Sequence, residues 1–226
     1  MLREINFLAI LMVFALSSAC INLAHAEKPP ELDFIGGYFD DGKYKCFQEP
    51  CFSIHENTPQ GSSSTRFSPK RWPHWLDVDK SCQKEDQQLL AETSLIPVAY
   101  ENDDRCKKVI AGKWKDSYTG EIIESVDQVA VDHRVSLKEA HSLRGVSWLI
   151  KKRALFANTP DNLIVVSKTS QQERDGKPAN LWMPANERIW CDYVVHREKI
   201  ARLFGLGFKD RVVNFHREIK RSHCKY

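Results

Sequence analysis

The sequence predicts an α+β fold stapled by disulfides. Strand-like runs alternate with segments whose apolar residues recur at helical spacing. Six cysteines remain once a leader-like N-terminus is set aside. Hydrophobic residues make up 42% of the chain and charged residues 28%, which is enough for a buried core and argues against global disorder. The formal net charge of +3 over 226 residues is too mild to announce a nucleic-acid binder by itself. Beyond the N-terminus no apolar run reaches the roughly 18–20 residues of a spanning helix, so a polytopic membrane protein is not expected.

Residues 1–26 read as an export signal. Arg3 supplies a small positive region, Phe7 to Leu16 is an unbroken apolar core, and Ala24-His25-Ala26 is a small-x-small cleavage pattern. Two other readings are a retained anchor, for which the core is short, and a lipoprotein signal at Cys20, which Ser17 disfavours. Cleavage after Ala26 implies a periplasmic or secreted protein without stable membrane insertion. It leaves Cys46, Cys51, Cys82, Cys106, Cys191 and Cys224. An even number in an exported chain points to disulfides. The pairing expected is Cys46 with Cys51, Cys82 with Cys106, and Cys191 with Cys224. The competing reading of Cys46, Cys51 and His55 as zinc ligands lacks a fourth donor.

Residues 27–70 look like an irregular leader. They hold five of the ten prolines, none of the six tryptophans, and the linker-like Gly61-Ser62-Ser63-Ser64. The globular core, residues 71–226, should begin near Arg71. Within it, Gln83 to Thr93 suits a short helix. Ser117-Tyr118-Thr119-Gly120 reads as a turn between two strand-like pieces. Val129 to Val135 alternates as a half-buried strand does. Ser147 is placed to cap a helix running to about Ala157, with Pro160 beyond its end. Asn162 to Ser167 is a second strand. Lys168 to Arg174 is helix-compatible and stopped by Asp175-Gly176. Trp190, Tyr193, Val194, Ile200, Ala201 and Phe204 recur at helical spacing up to Gly205.

The order strand, long excursion, strand, short helix carries the chemistry. Asp132 and His133 stand on the first strand. A carboxylate can hold a hard cation, and a neutral imidazole can take a proton from water. Adjacent strand residues point to opposite faces, so both serve one site only at a bent or terminal position. Asn162 opens the second strand, and Gln171, Gln172 and Glu173 offer oxygens on the helix. By itself an Asp-His pair on a strand is more often an ion pair or a solvated edge.

The run Asp132-His133-Arg134-Val135-Ser136-Leu137-Lys138-Glu139-Ala140-His141, then Trp148, Phe156-Ala157-Asn158, Asn162-Leu163, Pro178 and Trp182-Met183-Pro184, resembles the exported HNH endonucleases. These are bacterial relatives of the C-terminal domain of a modification-dependent restriction enzyme. Trp75-Leu76-Asp77-Val78-Asp79, Cys82-Gln83, Cys106, Gly112-Lys113-Trp114 and Tyr118-Thr119-Gly120 look like the same family's leading half, and Cys191-Asp192-Tyr193 with Cys224 its end. The resemblance implies a ββα-metal core, a hairpin and helix around one divalent cation, Mg²⁺ or Mn²⁺. It also implies hydrolysis of phosphodiester bonds in DNA without sequence specificity. On it, Asp132 is a metal ligand, His133 the general base, and Asn162 the residue that orients the histidine and its loop.

Two departures stand out. Ser136 replaces a proline at the strand exit. On the helix the family's Asn and Lys-Gly pair become Gln171, Arg174 and Asp175. Gln171 is then the expected second metal ligand, with Asp175 or Glu173 as alternatives, and the departure motivates a second expectation: an impaired relative that binds nucleic acid or an envelope partner without cutting. Lys151, Lys152, Arg153 and Arg174 are candidates for phosphate contacts, and Lys209 to Lys225 is a second basic stretch. Glu139 is expected to brace an arginine or the catalytic loop. His74, His196, His216 and His223 lack partner motifs and read as surface residues. The EF-hand-like opening at Asp77 lacks the required glycine and glutamate. No Ser/His/Asp or glycine-rich phosphate loop suggests another enzyme class.

Overall fold

A computed structural model describes residues 66–77 and 81–225, together with the strands at 37–40 and 43–46. The export signal, the Cys46–Cys51 pairing and the Gly61–Ser64 tract lie outside the described residues. The leader is not wholly irregular: β1 (Gly37–Asp40) and β2 (Lys43–Cys46) form an antiparallel hairpin, Tyr38 opposite Lys45 and Phe39 opposite Tyr44.

The central element is a second hairpin, β7 (Val129–His133) against β8 (Leu163–Ser167), paired Val131 to Val165 and His133 to Leu163. Upstream lie α1 (Glu85–Thr93) and short strand pairs of two or three residues. Of these the described residues hold two: β3 (Ala99–Tyr100) with β4 (Val109–Ala111), and β5 (Trp114–Lys115) with β6 (Ile122–Ile123). The turn read at Ser117–Gly120 joins β5 to β6, and Gly120 takes a φ of +85°, which a side chain would strain. The excursion between β7 and β8 holds α2 (Leu137–Ser142) and α3 (Ile150–Asn158). After β8 come α4 (Lys168–Arg174), α5 (Trp190–Phe204) and α6 (Asp210–His223).

The half-buried strand expected at 129–135 is corrected, because the hairpin is covered on both faces. Val129, Val131, Leu163 and Val165 pack with Leu90, Val109 and Trp114. Ile164 and Val166 point the other way, into Tyr118, Tyr193, Val194 and Ile219. A third cluster, centred on Trp72, Trp148, Phe156 and Phe204, joins α2, α3 and α5. That cluster also corrects the helix start. Drawing Trp148 into the aromatic core leaves Gly145–Ser147 as a 3-10 turn, with the Ser147 hydroxyl bonded to Arg144 O, so α3 begins at Ile150 without a side-chain cap. His216 is corrected too: it is fully buried beneath Phe208 and Arg197 rather than on the surface.

Cys82–Cys106 and Cys191–Cys224 are bonded as expected. The second ties the start of α5 to the end of α6 across 33 residues. Chain-entropy arguments give such a loop about 3–4 kcal/mol. Replacing both Cys191 and Cys224 with serine should therefore lower the unfolding free energy obtained from urea denaturation by about that amount. Loss of less than about 1 kcal/mol would show that α5 and α6 are held by packing alone.

Candidate functional site

The two strand-end residues diverge, as the strand period requires. Asp132 points to the α4 side. Its Oδ2 accepts from Tyr118 Oη at 2.9 Å and from Arg174 Nη1 at 2.6 Å, while Oδ1 accepts from the His133 N–H at 2.8 Å. Burial raises the Asp132 carboxyl, but the charge and hydrogen bond of Arg174 outweigh it and hold the group below its ordinary range. Arg174 is fully enclosed. Besides Asp132 it donates to Tyr118 Oη, to His133 O and, through Nη2, to Arg134 O.

Local sequence places the guanidinium there. Ser167 caps α4 by accepting from Ser170 N, and the Ser170 hydroxyl donates to the buried Asp116 carboxylate at 2.6 Å. The helix is thereby pinned to the β5–β6 turn that presents Tyr118. Asp175 at φ +45° and Gly176 at φ +65° end it directly after Arg174. A cation in a helix's last turn is also favoured by the exposed carbonyl dipoles.

His133 faces the other side. Its Nε2 lies 2.8 Å from Ala157 O, and a carbonyl only accepts, so that nitrogen carries the proton and Nδ1 keeps a lone pair. Trp75 stacks on the ring with centroids 5.4 Å apart. Burial pushes the imidazole down to about 4, against smaller upward contributions from Ala157 O and Asp132. The ring is neutral at physiological pH. A cleft of about 310 Å³ runs along the outer edge of β7, lined by Trp75, Gln87, Lys108, Val131, Lys168 and Gln171; of the residues that hold the imidazole, it reaches Trp75 but not His133 itself.

Asn162 does not touch the imidazole. Its Oδ1 accepts from Val135 N at 2.9 Å and its Nδ2 donates to Val135 O at 3.2 Å, which clamps the chain leaving β7. Gln171 spends its Nε2 on Val131 O at 2.9 Å. Glu173 and Asp175 are exposed, and Asp175 faces Lys138 at 3.5 Å. Glu139 pairs with the buried Arg197 through both oxygens, at 2.8 and 3.0 Å, and Arg197 also donates to Arg134 O.

The proposed phosphate contacts separate. Arg174 is removed from that role because it is enclosed and its charge is spent on Asp132. Lys152 sits 4.8 Å over Trp148, and Arg153 bonds Val146 O at 3.0 Å. Lys151 faces solvent. Sequence reasoning missed Tyr118, Trp75 and Ala157 O as parts of the site. The Tyr118 turn motif was a usable signal, whereas a backbone carbonyl leaves none.

A divalent cation does not fit this donor set as folded. Among the described residues no group of three or more His, Cys, Asp or Glu side chains is placed to hold one. Both Asp132 oxygens already accept hydrogen bonds. Two unit charges 4 Å apart interact by about 4 kcal/mol at an effective dielectric near 20, so an ion of charge +2 beside the guanidinium would meet roughly twice that in repulsion.

No family model and no solved structure matches the chain. The chain is similar to an uncharacterized secreted protein of Arthroderma benhamiae, 28% identical over 151 residues, covering 66% of this chain and 71% of that protein. That likeness and the two disulfides mark an exported chain. No helix among the described residues is long and apolar enough to cross a membrane.

The buried imidazoles set an acid response. An unfolded-chain histidine protonates near 6.5, but folded His133 only near about 4, and His216 is held down to about 4 by burial and by Arg197. The unfolded chain therefore binds more protons across this window. Stability should fall as pH drops from about 6.5 and level off with respect to these groups below about 4. A ring-proton NMR titration should find a His133 midpoint near 4; a midpoint near 6.5 would contradict the enclosed, carbonyl-held ring.

Proposed function

We propose that the chain is an exported nuclease of HNH-like build that hydrolyses phosphodiester bonds in DNA without sequence specificity, with His133 as its general base. The observation that carries this reading is the state of His133. A neutral ring whose Nε2 is committed to Ala157 O presents Nδ1 as its proton acceptor, at the end of a hairpin followed directly by a helix. Trp75 fixes the ring plane, and Asn162 fixes the turn on which the ring stands. Water would attack phosphorus as its proton passes to Nδ1 of the imidazole, and the bond from phosphorus to the leaving sugar oxygen would break, that oxygen taking its proton from solvent water. Mg²⁺ or Mn²⁺, the cofactor the resemblance implies, belongs to this reading as an assay variable. No role at Asp132 is assigned to it, since that carboxylate is taken.

One observation favours the second reading, a relative that binds nucleic acid or an envelope partner without cutting: the Arg174 guanidinium lies on the carboxylate expected to serve the reaction. Both readings keep the exported location, periplasmic or secreted. Incubating the mature, oxidised protein with supercoiled plasmid and Mg²⁺ or Mn²⁺ separates them. The nuclease reading expects nicking that EDTA abolishes and that His133→Ala reduces by about 10²–10⁴-fold, the usual contribution of a general base. Intact plasmid under every metal, from folded protein, would leave only the binding reading.

A further inference from the structure

A carboxylate as enclosed as Asp132 needs either a proton or a cation beside it. The structure supplies that cation from within. Arg174 reaches Asp132 Oδ2 at 2.6 Å, shares Tyr118 Oη with it, and ties down the carbonyls of His133 and Arg134. The planar guanidinium therefore both neutralises the carboxylate and fixes the two residues after it, work that a coordinated ion and its bound waters could also do. Its position is built rather than incidental: α4 is capped at Ser167, anchored through Ser170 to Asp116, and ended at Asp175-Gly176 immediately past Arg174. Gln171, one turn earlier, is held to Val131 O through its Nε2.

We infer that Arg174 is the resident cation of this site, so that the resting protein holds no divalent ion at Asp132. The choice of ion rests on the nuclease reading, but the inference concerns the resting protein and no catalytic step.

The test is a Mn²⁺ titration of the full mature protein, followed by the electron paramagnetic resonance signal of free Mn²⁺. Wild type and Asp132→Asn should give the same curve, with no stoichiometric site at residue 132. Thermal melts of wild type in Mg²⁺, Mn²⁺ or EDTA should coincide. One Mn²⁺ bound by wild type and lost in Asp132→Asn would overturn the inference. Because cleavage is not read, a failed inference leaves the nuclease reading standing, and absent plasmid nicking leaves the titration interpretable.

Discussion

The buried pair of Asp132 and Arg174 joins the end of β7 to the end of α4, and most of the site's geometry follows from it. Leaving either charge alone in that interior would cost several kcal/mol, so each side chain fixes the other's position. Tyr118 completes the arrangement by donating to the same carboxylate oxygen, which brings the β5–β6 turn into register with the hairpin. Burial and the neighbouring Asp132 charge push the Tyr118 phenol well above its ordinary range, so it remains a donor at every physiological pH.

A second buried pair reinforces the first. Arg197 on α5 holds Glu139 on α2 through two hydrogen bonds, and its other nitrogen meets the Arg134 carbonyl that Arg174 also uses. Two guanidinium groups from separate helices thus converge on one backbone oxygen, directly after His133. The turn that follows the histidine is fixed by these donors and by Asn162, while the ring itself is fixed by Ala157 O and Trp75. Orientation and charge are consequently set by different neighbours on the two faces of β7.

Legibility in the sequence followed the range of the interactions. The span of α4 and the end of α5 at Gly205 were readable because caps, left-handed stops and apolar spacing are local signals. Glu139 was readable as a brace for an arginine, though not which one. Arg174 was misassigned to the surface, since a basic residue at a helix end looks solvated until a carboxylate 42 residues away closes on it. His216 was misplaced for a similar reason: α6 is polar in sequence, and only the packing of Phe208 and Arg197 encloses that ring. The helix start at Ile150 was missed because the aromatic cluster captures Trp148, a tertiary effect that overrides a plausible serine cap.

The central claim is that Asp132 and Arg174 act as one unit holding the hairpin to α4. A double-mutant cycle with Asp132→Asn, Arg174→Gln and the double variant, measured by urea unfolding, tests it most directly. The account predicts a coupling of about 2–3 kcal/mol, the double variant being far less destabilised than the sum of the singles. Additivity within about 0.5 kcal/mol would contradict it.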